Sequence, residues 1–213
     1  MSKRSSSHTI PAAPVTAGRT IHWAARYDLL VTLLSFGRAG TLRKRTAALA
    51  ELTPGEAVLD AGCGTGDLTI EMRRYAGPNA LIAGIDASPE MVARARQKAT
   101  RLGIELDLRV EPLETLSFAN QTFDVVVSSL VFHHLPPELK RQGLAEIRRV
   151  LRPGGRLLIV DFLRSPHHVS LHSALQTGLQ DLPELLHEAG FFEVVWRRGP
   201  FPLLGYTQGR NPD

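Results

Sequence analysis

Cysteine is almost absent from this chain: Cys63 is the only one in 213 residues. No intrachain disulfide can form, and a metal site built on several thiolates is excluded. Aromatic residues make up only 6% of the sequence, and no apolar run approaches the ~20 residues a membrane span requires. Lys3 and Arg4 stand in a Ser-rich start that no apolar stretch follows, which does not read as a secretory signal. A reducing, cytoplasmic setting is therefore expected. What remains is globular in character, with 43% hydrophobic and 22% charged residues and the length of one domain plus a short extension.

The net charge of +4 is unevenly placed. Residues 1–50 hold eight Lys/Arg and one acid, Asp28, a net of +7; residues 51–213 hold 17 bases and 20 acids, a net of −3. A uniformly basic domain would point to nucleic acid. This chain instead sets a basic leading segment on a mildly acidic body, a split that lends some weight to a protein or nucleic-acid target, although no nucleic-acid partner is expected.

Residues 1–18 lack periodicity and are expected to be a disordered tail. Trp23, Tyr27, Leu30 and Leu34 lie at helical spacing and predict a helix over about 20–35. A second helix is predicted over 41–52, carrying Arg43, Lys44 and Arg45. After the Pro54-Gly55 turn, strands and helices alternate. Strands are predicted over 57–60, 80–85, 106–110, 123–128, 156–162, 192–196 and 203–208, the last two as a hairpin. Helices are predicted over 66–75, 88–102, 136–151 and 182–188. Such alternation predicts an α/β fold with a Rossmann-like, doubly wound, mostly parallel seven-stranded sheet ending in an antiparallel strand. The implied organisation is a tail (1–18), N-terminal lid helices (19–53) and a cofactor-binding domain (54–213).

The chemistry concentrates in residues 58–69, VLDAGCGTGDLT. A strand, glycines and a helix start, in that order, make a ligand loop, and glycine lets the backbone approach a ligand closely. Gly62, Gly64 and Gly66 do not follow the dinucleotide spacing, because Asp67 stands where the third glycine of that motif would fall. A pyrophosphate needs donors and no nearby anions. This loop supplies Asp60 and Asp67 and no Lys or Arg between Val58 and Met72. That charge suits S-adenosylmethionine, which carries an ammonium and a sulfonium and no phosphate. Asp86 follows about 20 residues beyond the loop, where an acid can accept both hydroxyls of a ribose. Asp67 also suits the first turn of a helix, where the dipole favours an acid. Cys63 has no paired base nearby and reads as a small loop residue on the cofactor rather than a nucleophile.

These motifs resemble those of class I S-adenosylmethionine-dependent methyltransferases. Residues 84–92 (GIDASPEMV) are similar to that family's second-strand motif, 123–135 (FDVVVSSLVFHHL) to its fourth-strand motif, and 150–159 (VLRPGGRLLI) to its turn into strand five. Within the class, 25–28 (ARYD), 34–37 (LSFG), 43–45 and 65–68 (TGDL) are similar to the ubiquinone/menaquinone-biosynthesis C-methyltransferases. The resemblance implies cofactor contacts from Tyr27, lying over the cofactor, and from Asp60, Gly62, Cys63, Gly64, Asp67, Asp86, Ala87, Met91 and Ser128. The family commonly reads adenine with an acid after strand three. That position is Pro112 here, so Glu111 and the Leu113 N–H are the available substitutes.

Ligands of open α/β sheets bind beyond the carboxyl ends of the strands. The acceptor pocket is accordingly assigned to Ser128, His133, His134, Asp161 and Phe162, with Trp23 and Tyr27 from the lid. His133 or His134 is the candidate catalytic base, imidazole being the side chain suited to proton transfer near neutrality. His167, His168 and His172 lie in the segment after strand five, which reads as a solvated loop, and no metal site is assigned to them. The implied reaction is methyl transfer to a small-molecule acceptor, apolar or aromatic and quinol-like. The alternatives are a protein or nucleic-acid methyltransferase and a non-catalytic cofactor-binding regulator. Ser128-Ser129-Leu130-Val131 replaces the Asn-Pro-Pro-Tyr-type motif of amine methylation, which disfavours adenine or glutamine as the target. The basic segment suits an anionic acceptor or a peripheral contact with an anionic membrane, and the short segment 163–180 leaves room for an oligomer that completes the pocket. Calorimetry should show binding of the product, S-adenosylhomocysteine, and none of NAD; the reverse preference would sink the cofactor assignment.

Overall fold

Strand-forming runs and amphipathic helices alternate along the chain, and the structure, a computed structural model, follows that alternation. It describes residues 39–163, 178–199 and 203–213. The predicted tail, the first predicted helix with Trp23 and Tyr27, and His167, His168 and His172 lie outside the described residues.

Helix α1 (Ala39–Leu49) leads into β1 (Val58–Ala61), α2 (Asp67–Ala76), β2 (Ile82–Asp86), α3 (Pro89–Leu102) and β3 (Asp107–Val110). The chain then crosses to β4 (Phe123–Ser129), a 3-10 turn (Phe132–His134), α4 (Pro137–Val150) and β5 (Leu151–Phe162). A second 3-10 turn (Leu179–Asp181), α5 (Leu182–Glu188), β6 (Phe192–Arg198) and β7 (Leu204–Arg210) complete it. The seven strands lie in the order β3-β2-β1-β4-β5-β7-β6. The first five are parallel to one another, and β7 is antiparallel to both β5 and β6. The predicted mostly parallel sheet with an antiparallel C-terminal strand is therefore present. Its winding reverses between β1 and β4, the place where such sheets open a ligand crevice.

Period-two alternation sends side chains to two cores. Val58, Val125, Val127, Leu158 and Val160 face one side, where Ala47 and Ala50 at the end of α1 and Met72 and Ala76 of α2 cover them. Leu59, Val126, Leu157 and Ile159 face the other, under Leu144 and Ile147 of α4 and Leu186 of α5. Helix α1 falls in the range read as a lid, yet its C-terminal end belongs to the core. Arg156 fixes that end to the sheet, donating to the Ala50 carbonyl (3.0 Å) and the Glu51 carbonyl (2.7 Å) while pairing with Glu56 (2.6 Å).

Local signals explain the element ends. Ser88 caps α3, its Oγ accepting the Met91 N–H (3.4 Å), with Pro89 in the first turn. The turn predicted at 153–155 is instead a bulge inside β5: pairing passes from Phe123–Leu151 directly to Val125–Arg156. Gly154 there has φ 70°, a conformation that favours glycine, so the sequence signal for a turn and the bulge have the same cause.

Candidate active site

The carboxyl ends of β1 to β5 form one rim, and the loops that follow them carry its polar groups. After β1 the chain turns at Gly62, whose φ is 87°. A Cβ at Gly62 would lie 2.2 Å from Cγ2 of Val131, so the residue must be glycine on two counts, the backbone angle and the close approach of the β4 loop. Leu130 makes that approach through a positive φ of 61°, its N–H bonded to the Val160 carbonyl (2.9 Å).

Four of the loop's N–H groups are engaged inside the protein. Those of Gly62 and Cys63 donate to the Ile85 carbonyl (2.9 and 2.7 Å), that of Gly66 to the Cys63 carbonyl (2.9 Å), and that of Gly64 to Oδ2 of Asp86 (2.9 Å). A phosphate cradle needs just those donors free. The engagement of these four donors argues against a pyrophosphate site, in line with the reading from the loop's charge.

Asp86 ends β2 and accepts a second N–H, from Ser88, at 2.8 Å. Burial raises its carboxyl above the usual carboxylate range, against these two hydrogen bonds. Asp60 lies beneath the loop, 1% exposed, with its Oδ2 accepting the Thr69 hydroxyl (2.6 Å). Burial pushes the Asp60 carboxyl up to about 7, and the charge of Asp86 adds to the rise. Cys63 is buried as well. Its thiol is driven well above its ordinary range by burial and by the charges of Asp86 and Asp60, so it is no nucleophile.

Asp67 is not an open anion of the loop. Arg43 of α1 holds its Oδ2 at 2.8 Å and Lys98 of α3 holds its Oδ1 at 2.9 Å, while Lys98 also reaches the Thr65 hydroxyl at 2.8 Å. The negative field of the loop thus comes from Asp60 and Asp86. Ala87 is partly exposed beside Asp86, and Met91 is buried behind it. At the end of β3, both oxygens of Glu111 bind Ser117, one through the backbone N–H (3.0 Å) and one through the hydroxyl. Leu113 is buried, its side chain set against Gly143. Ser128 is fully buried and its hydroxyl donates to the Ala61 carbonyl (2.8 Å), tying β4 to β1.

The structure joins two residues that the sequence named separately. Oδ1 of Asp161, at the end of β5, lies 2.7 Å from Nδ1 of His133, and Oδ2 accepts the His133 N–H at 3.1 Å. The Phe162 N–H also donates to Oδ1 (2.7 Å). The imidazole stands edge-on to the Phe162 ring with centroids 5.0 Å apart, and the His134 ring lies 3.8 Å away. The ion pairs of Asp67, the Thr69 hydroxyl and the Val131 contact escaped the sequence reading, since no local pattern links such distant partners. Among the described residues no group of three His, Cys, Asp or Glu is placed to hold a metal ion.

A doubly wound sheet, a glycine loop with spent donors, a buried acid below it and a carboxylate at the end of β2 fit S-adenosylmethionine, and together define a class I S-adenosylmethionine-dependent methyltransferase domain. Comparison with known proteins agrees. Residues 58–155 match the family described as a methyltransferase domain. The chain is 36% identical over 141 residues to the ubiquinone/menaquinone biosynthesis C-methyltransferase of Geobacter sulfurreducens, covering 65% of this chain and 54% of that one. It is 38% identical over 143 residues to the demethylmenaquinone methyltransferase of Thermus thermophilus, covering 67% and 64%. Its fold is similar to the crystal structure of a methyltransferase from Aquifex aeolicus, described as dependent on the same cofactor, with a TM-score of 0.68 and 21% identity over 79% of this chain and 89% of that one. Residues 58–155 thus carry a domain of that methyltransferase family, and the chain spans 54% and 64% of the lengths of the two curated relatives.

The raised carboxyl of Asp60 gives a pH dependence of definite sign. A cationic ligand favours the ionised form, which the free protein reaches only as the pH passes about 7. Affinity for S-adenosylmethionine should rise about tenfold between pH 6 and pH 8. In Asp60→Asn it should be weaker and flat over that window. A wild-type affinity that falls across the window would contradict this account.

Proposed function

We propose that this protein transfers the methyl group of S-adenosylmethionine to a small apolar or aromatic acceptor of the quinol type, with His133 as the base. The supporting observation is the His133–Asp161 pair at the carboxyl ends of β4 and β5, beside the cofactor loop and next to the Phe162 ring. The bound cofactor supplies a methyl group activated for displacement by its sulfonium. The chain's residues position the acceptor and handle its proton.

Asp161 receives both the backbone N–H and the ring Nδ1 of His133, which fixes the imidazole in one orientation. With Nδ1–H donating, Nε2 holds the lone pair and accepts a proton. A phenolic hydroxyl gives up such a proton as it activates the ring, and a methylated ring carbon gives one up afterwards. The quinone-biosynthesis names of the two curated relatives support an acceptor of this class. Contact with an anionic lipid surface, where an apolar acceptor dissolves, is supported by the basic residues 1–50. Arg43 is already engaged by Asp67, so exposed Lys44 is the better candidate within α1.

Turnover of labelled cofactor over a panel of quinols, phenols, amines and lipid-like acceptors tests the reading. Methylation of quinols or phenols is expected. His133→Ala should lower kcat by about 100-fold or more, in the range of general base catalysis, with cofactor affinity unchanged. Turnover on amines alone, or a variant with wild-type kcat, would contradict the proposal.

A further inference from the structure

The rim that carries His133 and Asp161 continues past β5. Because β7 runs antiparallel to β5, its first residues stand at that same rim: Leu204 pairs with Phe162, and Arg198 at the end of β6 pairs with Gly205. The Leu163 N–H donates to the Leu203 carbonyl (2.9 Å), and the Gly199 N–H to the Leu204 carbonyl (2.8 Å). The corner between β6 and β7 is thereby tied to the residue after Phe162, whose ring stands edge-on to the His133 imidazole.

This corner presents an unusual mixture to solvent. Leu203 is 60% exposed and Trp196 is 40% exposed. Arg197 and Arg198 are exposed beside them. Among the described residues neither arginine pairs with an acid, and Arg197 donates only to the Trp196 carbonyl (3.0 Å). Single exposed apolar residues are common on soluble proteins. Here an aliphatic side chain, an indole and two unneutralised guanidinium groups all fall within two residues of the Arg198–Gly205 pair. That combination suits the headgroup region of an anionic bilayer, where indoles settle at the interface, aliphatic groups insert and cations meet lipid phosphate. A second copy of the chain is the rival occupant, since β6 is an outer strand of the sheet. That edge is blunted against strand addition: its pairing with β7 is irregular between Phe192 and Val195, Glu193 has φ 49°, and the arginines stand at its end.

We propose that the β6–β7 corner is a lipid-docking surface, which holds an anionic bilayer through Arg197 and Arg198 and seats Leu203 and Trp196 at headgroup level. This rests on the reading of the acceptor as apolar, and it specifies which part of the rim meets the lipid. An acceptor dissolved in the bilayer then reaches the Phe162 side of the rim without crossing water. The basic residues 1–50 add attraction to the same surface, whereas the corner sets which end of the sheet faces it.

The test is co-flotation of the full chain with vesicles of phosphatidylcholine alone and of phosphatidylcholine mixed with phosphatidylglycerol. Binding should favour the anionic vesicles and weaken as salt rises. The double variant Arg197→Gln/Arg198→Gln should bind them about tenfold more weakly or worse, as expected for the loss of two cations near the surface. Leu203→Asn should bind about fivefold more weakly, from the apolar area withdrawn. Both variants should keep wild-type affinity for S-adenosylhomocysteine, because the altered residues lie outside the cofactor loop. Equal binding to neutral vesicles, or anionic binding that both variants leave intact, overturns the proposal. So does a wild-type dimer in sedimentation that either variant dissociates, which would make the corner an interface between copies. Vesicle binding with the expected losses, but without methylation of quinols or phenols, would keep this surface and remove the reading of the acceptor.

Discussion

The carboxylate of Asp86 is the joint on which the site is built. One oxygen takes the Gly64 N–H from the loop after β1, and the other takes the Ser88 N–H at the start of α3. Hydrogen bonds to a charged acceptor contribute roughly 1.5–3 kcal/mol each. These two hold the glycine loop against β2 and set the entry of the next helix. The loop also bonds the Gly62, Cys63 and Gly66 N–H groups internally, through the Ile85 and Cys63 carbonyls. The result is a rim with carboxylates and with the Gly62, Cys63, Gly64 and Gly66 donors already engaged, a geometry suited to a cofactor that presents a ribose and a cation.

Around that joint, polar groups are buried at a cost that function explains better than stability does. Asp60 sits under the loop with its carboxyl raised to about 7. A raised carboxyl favours folding most at low pH, and that contribution is lost as the pH climbs from the ordinary carboxylate range through about 7. The same charge becomes favourable when a cation lies above it. Asp67 bears on stability and position instead, joining α1, α2 and α3 through Arg43 and Lys98. At the other end of the rim, Asp161 holds His133 in place, and the strained turn at Leu130 brings Val131 over Gly62.

Much of this was legible in the sequence because the governing signals are local. The strand–loop–helix of residues 58–69 and the acid at 86 carry their spacing with them, and the alternation of strands and helices gave the sheet. Most boundaries moved by a residue or two, as at β1, which runs over Val58–Ala61 rather than 57–60, whereas β5 starts five residues before the predicted 156 and α1 ends three before the predicted 52. The apolar pattern of a buried parallel strand does not mark its own ends. The rest was hidden because it depends on contacts distant in sequence. His133 and Asp161 are 28 residues apart, and Asp67 and Lys98 are 31 apart. Ser128 is the instructive case: it stands where a pocket residue was expected, but its hydroxyl serves the adjacent strand.

The most direct measurement is isothermal titration of S-adenosylhomocysteine into the wild-type protein and Asp86→Ala. If Asp86 both holds the loop and receives the ribose hydroxyls, the variant binds more than about tenfold more weakly, as the loss of one charged hydrogen bond or more requires. Unchanged affinity in a folded Asp86→Ala variant would contradict the account and place the cofactor elsewhere.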